Sequence, residues 1–579
     1  MKKRKIYTLP FEILLVLISA FMYALAFPSF INDTGYPIFA FFSFIPLLYA
    51  VNTTKWKYTP LLGLIFGVVY LGIFNYWLST FHPLAIVIGP VAKGIQLFFF
   101  FPLLKLSYSF PKKYKAISQS LCYVLYSYIV QQGFLAYAYG SLASTTINLP
   151  IIAQLASVTG MWGISFLLFL PQSFIANYLI DNNHLIFSKY LEKKKEAVLL
   201  YLFLFLCVLI YGYSSINYWK YKIPDKYVKI ATIQHNADTW KGGYSQYKSN
   251  FETLTDLTNK AMEVDPDLVM WSETAFVPSV AWHTKYPSSE RTSKLVDDFI
   301  SFGSQLEVPL VTGNVEGVLK DNGQPPFLNS GEWNRDDYNT IILFAEGELK
   351  DTYRKQHLVP FTEYFPYEEQ FPRFYQFLKS NDYHWWLQSD VSKVFDYEDL
   401  KFSTSICFED IFSDISREFV KNGSTLLLNL SNDSWSKSIA AEQQHMYLGA
   451  FRAIENRKSV VRSTNSGITC LITAWGKVIE PITPFTTDYK VYNVPIYENT
   501  KENVSFYTKH GDYFVYISFL IVFANIIYRI AHFIYLKTNK HKNISIENIE
   551  VKTKKRRNYK TRKYLKDPGI KNISKKNRI

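Results

Sequence analysis

Three side chains with complementary chemistry each follow a short run of strand-forming residues. They are Glu273, Lys355 and Cys407. A cysteine thiolate can attack an acyl carbon and form a thioester. A carboxylate can take the thiol proton and return it to a leaving group, and an ammonium group can stabilise the oxyanion. Each residue alone also has a structural explanation, as a helix-start carboxylate, a surface charge and a core cysteine. Together they predict acyl transfer through a cysteine.

The elements around Cys407 are those that a nucleophile needs. A predicted strand, 402–406, ends at the cysteine, and a predicted helix begins at about Glu409 and ends near Asn422 and Gly423. Backbone N–H groups at the start of a helix favour a thiolate over a thiol. The same turn can direct a main-chain N–H at the oxyanion that forms on an attacked carbonyl.

Residues from about 224 to 505 alternate between predicted strands and helices. Strands that alternate with helices of this length predict a layered α/β domain. The predicted strands are 227–234, 267–271, 308–313, 340–344, 348–353, 402–406, 425–430 and 459–462, and the predicted helices are 247–262, 292–302 and 440–456.

Most of the remaining apolar sequence predicts about eight membrane spans. A bilayer core of ~30 Å is crossed by about 20 apolar residues in a helix. The second stretch is short, and the fourth contains Lys93, whose charge inside a span would indicate a functional role. The stretches are approximately 9–29, 36–52, 59–78, 84–104, 117–138, 161–180, 196–216 and 512–536.

The distribution of lysine and arginine predicts the orientation of these spans. Basic clusters precede the first span and follow the second, fourth and sixth, whereas the loops near 30–35, 79–83 and 139–160 contain no basic residue. Positively charged loops remain cytoplasmic, so the N-terminus is predicted inside and the α/β domain outside. Residues 2–26 also resemble a signal peptide. We favour an uncleaved first span because further spans follow directly.

The net charge of +14 lies almost entirely in residues 537–579, which hold sixteen Lys and Arg against three acids. This segment is predicted to be a solvated, disordered tail. It lacks the interleaved aromatics of a nucleic-acid platform, so anionic lipid is its expected partner. The four cysteines, Cys122, Cys207, Cys407 and Cys470, form no CxxC motif. They predict neither a disulfide framework nor a zinc site.

Five sequence blocks follow one another along the second half of the chain. They are WSETA at 271–275, YRKQHLVPFTE at 353–363, ICFE at 406–409, NLSNDSW at 429–435, and RAIENR at 452–457 with RSTNSG at 462–467. These blocks and their order resemble those of the nitrilase (carbon–nitrogen hydrolase) superfamily. The α/β domain between seven predicted spans and one narrows the resemblance to the apolipoprotein N-acyltransferases, as do the motifs at 75–77, 133–134 and 160–166. The chain departs from that family at Phe408, where a tyrosine is common, and at Leu135-Ala136, where Pro-Trp is usual.

The resemblance implies a polytopic α-helical membrane bundle of about eight spans with a nitrilase-like α-β-β-α sandwich domain. It also implies a bacterial inner (cytoplasmic) membrane protein whose catalytic domain is periplasmic. The expected domains are a seven-helix bundle at 1–220, the catalytic domain at 221–505, a C-terminal transmembrane helix at 506–536 and a basic cytoplasmic tail at 537–579.

The implied reaction moves a fatty acyl chain from a membrane phospholipid to the α-amine of the diacylglyceryl-cysteine of apolipoproteins. It proceeds by a ping-pong mechanism through a cysteine thioester, with no cofactor and no metal. Glu363 and Glu409 would position Lys355 and the amine, and the Phe408 N–H would bind the oxyanion. The resemblance implies three catalytic residues, Glu273, Lys355 and Cys407. It also implies four supporting residues, Glu363, Phe408, Glu409 and Trp240, of which Trp240 lies in a segment that resembles a substrate-contact loop.

Several alternatives stay open. The aromatic segments 276–286 and 361–387 either line a lipid entrance or form the core of a lid. A membrane-tethered amidase would share the three catalytic residues but would not need seven spans. A transporter with an external binding domain rests on Lys93 alone. A Cys–His pair with His357 would not need the Glu and Lys blocks.

Overall fold

The computed structural model describes most of the chain up to residue 535. It covers 8–535, without 82, 109, 111–113, 134–135, 182–188, 190, 193, 288, 330, 380–384 and 533, and also 553–554. The basic residues at 2–5, the Leu135 position and nearly all of the predicted basic tail therefore lie outside the described residues. The residues from Phe519 onward form a second compact unit, whose described part is helical through His532.

The first part of the chain is a helical bundle with close helix contacts. A Cβ on Gly63 would lie 2.2 Å from the backbone oxygen of Leu97, and one on Gly67 would lie 2.6 Å from the Cα of Gly94. Small residues allow apolar helices to approach this closely. The helices are α1 Leu9–Leu25, α2 Phe44–Thr53, α3 Thr59–Phe74, α4 Leu78–Phe81, α5 Ala85–Tyr108, α6 Lys115–Ile129, α7 Pro150–Ala153, α8 Ala156–Asp181 and α9 Lys195–Tyr221.

Among the described residues, five helices are long and apolar enough to cross a membrane. The predicted count of about eight is therefore not confirmed, because the other apolar helices, Leu9–Leu25 and Pro37–Thr53, are shorter, and α6 has only 15 residues. The five helices are Trp56–Phe74, Ala85–Tyr108, Ala156–Asp181, Lys195–Tyr221 and Tyr513–His532.

The α/β domain contains two six-stranded sheets with strand orders β12-β1-β2-β3-β4-β5 and β11-β10-β9-β8-β7-β6. The strands β1 to β3 are parallel, as are β7 to β9, and the outer strands are antiparallel. The strands are β1 Lys226–Gln234, β2 Leu268–Met270, β3 Leu310–Leu319, β4 Arg335–Ala345, β5 Glu348–Arg354, β6 Phe395–Tyr397, β7 Leu400–Ile406, β8 Leu426–Ser431, β9 Val460–Thr464, β10 Cys470–Ile472, β11 Val478–Ile479 and β12 Asp488–Ile496.

The two sheets pack face to face between layers of helices. Successive residues of a strand point to opposite faces. Ile230 and Met270 accordingly belong to the core shared with the second sheet, whereas Ala231 and Val269 belong to the core beneath α10 and α12. Helices α14 and α15 cover the second sheet. The helices are α10 Tyr244–Met262, α11 Val280–Lys285, α12 Glu290–Gln305, α13 Pro372–Lys379, α14 Ser413–Lys421, α15 Ile439–Asn456 and α16 Phe506–His510.

The predicted strands and helices of this domain are confirmed, with one correction and several omissions. The single helix predicted from Glu409 to Asn422 is wrong, because the structure has two elements there. A 3-10 turn at Cys407–Ile411 ends at the extended Phe412 (ψ 126°), and α14 follows. Strand β12 was not predicted, although it pairs with β1 over nine residues. It lies at a sheet edge, where mixed polar residues hide the strand pattern.

Polar side chains of the α/β domain bind directly to the bundle. Arg457 caps α15 in a left-handed conformation (φ 57°), and its guanidinium is buried. It donates to Gln154 Oε1 at 2.7 Å and to the hydroxyls of Ser157 and Ser215 at 2.8 Å each. These acceptors belong to the bundle, so this residue fixes the domain on the helices.

Replacing Arg457 with Met should destabilise the protein, because three buried acceptors lose their donor. We expect a cost of about 1–3 kcal/mol, seen as a lower melting temperature of the purified protein. The exposed Arg291, changed to Met in the same way, is the control and should leave the melting temperature unchanged. Equal melting temperatures for both variants would contradict this role of Arg457.

Candidate active site

Cys407 stands on a strained turn at the end of β7. Its φ is +49°, a left-handed conformation that is uncommon for a residue with a side chain. Asn429 of β8 holds this conformation by donating to the Cys407 carbonyl at 3.2 Å and to the Ser405 hydroxyl at 3.1 Å. Strain of this kind persists only where neighbours enforce it, and it is concentrated at functional sites.

Lys355 and Glu273 meet in a buried pocket between strand ends. Lys355 follows β5 and is 1% exposed, and Glu273 follows β2 and is 6% exposed. The Lys355 ammonium donates to Glu273 Oε1 at 3.3 Å and to Glu363 Oε1 at 2.7 Å. Glu273 also accepts from the Asn339 amide at 2.9 Å and from the Asn432 N–H at 3.0 Å.

The thiol of Cys407 belongs to the same pocket. Its side chain is a hydrogen-bond partner of Glu273, and it lies close enough to the Lys355 charge to interact with it. The structure therefore brings together the three residues whose chemistry the sequence predicted. They come from β2 and β5 of one sheet and from β7 of the other.

The electrostatics of the pocket favour a neutral thiol beside a charged lysine. Burial, together with the Glu273 charge, raises the pKa of Cys407 well above its ordinary value, against the opposing effect of Lys355. The helix start thus does not lower the thiol pKa as expected, since it is a single 3-10 turn and burial dominates. Burial also raises the pKa of Glu273, although Lys355 opposes this.

The ammonium of Lys355 stays charged in this pocket. Burial lowers the pKa of Lys355, but the charges of Glu273 and Glu363 outweigh burial and leave the pKa above its ordinary value. A permanent cation beside a thiol and a carboxylate suits the stabilisation of an oxyanion. The raised pKa of Glu273 is chemically compatible with a general base.

Two further carboxylates hold the loop that carries Lys355. Glu363 binds Lys355 with one oxygen and accepts from the Val359 N–H at 2.7 Å with the other. Glu409 is completely buried, and burial raises its pKa to about 7. Its oxygens accept from backbone N–H groups on both sides of the site: those of Gln356 at 2.5 Å, His357 at 3.0 Å and Ile406 at 2.7 Å, and from the Tyr353 hydroxyl at 3.0 Å. Glu409 thereby connects the loop that follows Lys355 with the turn that carries Cys407.

A buried charge cluster lies behind the turn that carries Cys407, and its central residue, His445, was not predicted from the sequence. His445 Nδ1 lies 2.9 Å from Asp433 Oδ1, and its Nε2 lies 2.8 Å from Asp410 Oδ1. Arg462 pairs with Asp410. Ser431 donates to Asp433 at 2.9 Å and is also a hydrogen-bond partner of Cys407.

One sequence signal could have revealed this cluster. Helix α15 is buried on every side yet carries charged residues, among them His445 and Arg452. Buried charges require partners, so acids had to be sought elsewhere in the chain. Burial lowers the pKa of His445, but the charges of Asp410 and Asp433 outweigh burial and raise the pKa to about 10.

The other predicted site residues lie around the pocket. The Phe408 ring packs against Phe412 at 5.1 Å and Tyr139 at 6.4 Å. Trp240 is 56% exposed, and the neighbouring Thr239 hydroxyl binds Ser434, so its loop lies beside the segment that holds Glu273. His357 packs its ring on Phe412 at 4.6 Å.

The two aromatic segments, 276–286 and 361–387, differ in how far their aromatic side chains are exposed. In 276–286, Phe276 and Trp282 are each 1% exposed, so this segment is core. In 361–387, Phe371, Phe374 and Phe377 are 52–60% exposed on or beside α13. All four cysteines are free, and within the described ranges no three His, Cys, Asp or Glu side chains are arranged to hold a metal ion.

Comparisons with known proteins agree with both halves of the architecture. Residues 19–173 match the model of the apolipoprotein N-acyltransferase N-terminal domain, and residues 229–497 match the carbon–nitrogen hydrolase model. Apolipoprotein N-acyltransferase 1 of Treponema denticola is 35% identical over 540 residues, which cover 92% of this chain and 98% of that protein. The chain belongs to the apolipoprotein N-acyltransferase family.

Two further relatives match over similar lengths. Apolipoprotein N-acyltransferase 1 of Treponema pallidum is 34% identical, with 84% of this chain and 90% of that protein covered. The apolipoprotein N-acyltransferase of Borreliella burgdorferi is 29% identical, with 86% and 92% covered. Among solved structures, Saccharomyces cerevisiae Nit3, a nitrilase superfamily member, is 19% identical, with a TM-score of 0.33 and coverage of 47% and 92%.

The charge cluster predicts a pH dependence of stability. The pKa of His445 is raised in the folded state, so its contribution is complete below the unfolded value of about 6.5. The contribution is lost as the pH rises to about 10. His445→Gln should therefore lower the melting temperature most near pH 6 and least near pH 10. The exposed His510, changed to Gln, is the control. A loss that is constant with pH would contradict a charged His445.

Proposed function

We propose that this protein transfers a fatty acyl chain from a membrane phospholipid to the free α-amine of the diacylglyceryl-cysteine at the N-terminus of apolipoproteins. The observation that carries the proposal is the pocket in which Glu273, Lys355 and Cys407 meet. Alignment with apolipoprotein N-acyltransferases along nearly the whole chain supports it.

The first half-reaction acylates the enzyme. Glu273 takes the Cys407 proton as the sulfur attacks an ester carbonyl of the phospholipid, and the oxyanion forms beside the Lys355 ammonium and the Phe408 N–H. The carbon–oxygen bond of the ester then breaks. Glu273 returns the proton to the departing oxygen, which leaves as the hydroxyl of a lysophospholipid, and the acyl group remains on Cys407 as a thioester.

The second half-reaction discharges the thioester. The α-amine of the apolipoprotein attacks the same carbonyl carbon, and Glu273 accepts a proton from the nitrogen. The carbon–sulfur bond breaks, an amide is released, and the proton returns to the Cys407 sulfur. Glu363 keeps Lys355 in place in both halves, and Glu409 holds the Lys355 loop against the nucleophile turn. Trp240 lies on the loop over which a substrate would enter.

The membrane architecture follows from the substrates. Both are lipids, and each CH₂ that leaves the bilayer costs about 0.8 kcal/mol. The reaction therefore belongs at the membrane surface. We place the catalytic domain, 221–505, on the periplasmic side of the bacterial inner membrane, after a seven-helix bundle at 1–220 and before a final span at 506–536. The N-terminus and the basic tail at 537–579 are then cytoplasmic.

A direct test is the intact mass of the purified protein after incubation with phospholipid alone. We expect one added acyl mass that hydroxylamine removes and that Cys407→Ala never acquires. A diacylglyceryl peptide with a free α-amine should then discharge it. Hydrolysis of small soluble amides without any acyl adduct would instead favour the tethered-amidase alternative, and a folded protein with neither activity would overturn both.

The exposed aromatics of α13 should contribute to donor binding. Replacing Phe371, Phe374 and Phe377 with Ser should raise the apparent KM for phospholipid by roughly tenfold, equivalent to about 1.4 kcal/mol, and leave kcat nearly unchanged. Phe327→Ser, at a 38% exposed aromatic elsewhere in the domain, is the control. An unchanged KM in the triple variant would rule out a lipid-facing role for α13.

A further inference from the structure

The bundle contains a cavity that the proposed reaction does not yet use. It encloses about 580 Å³ of space that atoms do not fill, part of which is open to solvent. It lies among α1, α2, α3, α5, α6 and α8 and extends to residues 137–141, which adjoin the catalytic domain. Tyr139 lines it, and the Tyr139 ring lies 6.4 Å from that of Phe408, the residue after the nucleophile. The cavity therefore reaches the neighbourhood of Cys407.

Lys93 of α5 faces this cavity with a cation–π contact but without an anionic partner among the described residues. Its ammonium lies 5.3 Å from the centre of the Tyr126 ring, and no carboxylate or hydrogen-bond acceptor contacts it in the part of the chain that the structure describes. Lys105, on the same helix, has hydrogen-bond acceptors for its ammonium group. It donates to the backbone oxygens of Val51 at 2.8 Å, Asn52 at 3.4 Å and Thr54. Packing of the bundle thus accounts for Lys105 but not for Lys93.

Two hydroxyl groups in the same cavity also lack partners. Tyr126 Oη and Ser141 Oγ are buried without a hydrogen bond among the described residues. Other tyrosine hydroxyls of the cavity have hydrogen-bond partners. Tyr23 donates to the Gly140 carbonyl at 2.7 Å, and Tyr70 donates to the same carbonyl at 3.3 Å. Buried polar groups are normally paired. One ammonium and two hydroxyls that await acceptors indicate a ligand with several oxygens and a negative charge.

The rest of the cavity wall indicates that this ligand is also apolar. Phe44, Leu97, Phe101 and Phe169 are among the side chains that line it. A free inorganic anion would gain nothing from these apolar side chains, whereas a lipid chain would make apolar contacts with them. The wall therefore fits an amphiphile with an anionic, oxygen-rich end and an acyl chain.

We propose that this cavity binds the acyl donor and that Lys93 recognises its phosphate. The phosphate pairs with the Lys93 ammonium, the hydroxyls of Tyr126 and Ser141 donate to phosphate or ester oxygens, and the apolar wall holds a chain. The scissile ester then lies on the Tyr139 side, towards Cys407. This inference rests on the proposed function and adds a determinant of donor specificity: lipids with a phosphate are preferred to neutral diacyl lipids.

The test compares two donors that carry identical acyl chains. Full-length protein in detergent micelles is incubated with dioleoyl phosphatidylglycerol or with dioleoylglycerol, and the initial rate of Cys407 thioester formation is followed by intact mass. Lys93→Gln should lower the rate with phosphatidylglycerol by about tenfold and leave the rate with dioleoylglycerol unchanged. Lys93→Arg should retain most of the preference, because it retains the charge. Tyr126→Phe is a second, milder variant and should reduce the preference in the same direction.

Lys105→Gln is the matched control, since it removes a lysine from the same helix. It should lower the melting temperature without changing the ratio of the two rates. Equal losses with both donors in Lys93→Gln, or identical behaviour of Lys93→Gln and Lys93→Arg, would overturn the assignment of Lys93. Competition by inorganic phosphate that disappears in Lys93→Gln would assign the site to free phosphate instead. Wild-type protein that forms no thioester with either donor would contradict the proposed function itself.

Discussion

One buried ammonium group organises the catalytic pocket. Lys355 is nearly inaccessible to water, so its charge is tolerated only because Glu273 and Glu363 lie within hydrogen-bond distance. The same contacts keep the lysine charged, and in the proposed mechanism they leave Glu273 as the group that transfers protons. A change to either carboxylate therefore alters both the stability of the pocket and its reactivity.

The pocket exists only because two sheets pack against each other. Glu273 and Lys355 come from one sheet, and Cys407 comes from the other. Glu409 bridges the two, because its carboxylate binds the N–H of Ile406 before the nucleophile and those of Gln356 and His357 after the lysine. The network of His445 supports the nucleophile turn from behind, through Ser431 and Asp433.

Much of the catalytic domain was predictable from sequence, because alternating strands and helices have strong local patterns. That Glu273, Lys355 and Cys407 meet was predictable because each follows a strand, whereas their proposed catalytic roles come from the family resemblance. The partners of Glu409 and His445 were not, since these contacts join residues that are far apart in the chain and depend on tertiary packing. The 3-10 turn after Cys407 was missed for a related reason: Glu409 and Asp410 look like helix-start residues, yet their carboxylates serve buried partners. The predicted count of about eight spans is not confirmed, because helices such as α6 are short and partly polar.

The anchoring of Arg457 in the bundle has a consequence for how substrates exchange. Because buried hydrogen bonds hold the domain on the helices, we do not expect the whole domain to rotate about a hinge to admit a lipid. In the proposed function, exchange would instead depend on smaller, local movements around the pocket. The lysophospholipid would leave before the apolipoprotein enters, because both substrates use the same thiol. The turnover rate would then depend on the exchange of lipids as well as on the chemical steps at the thiol.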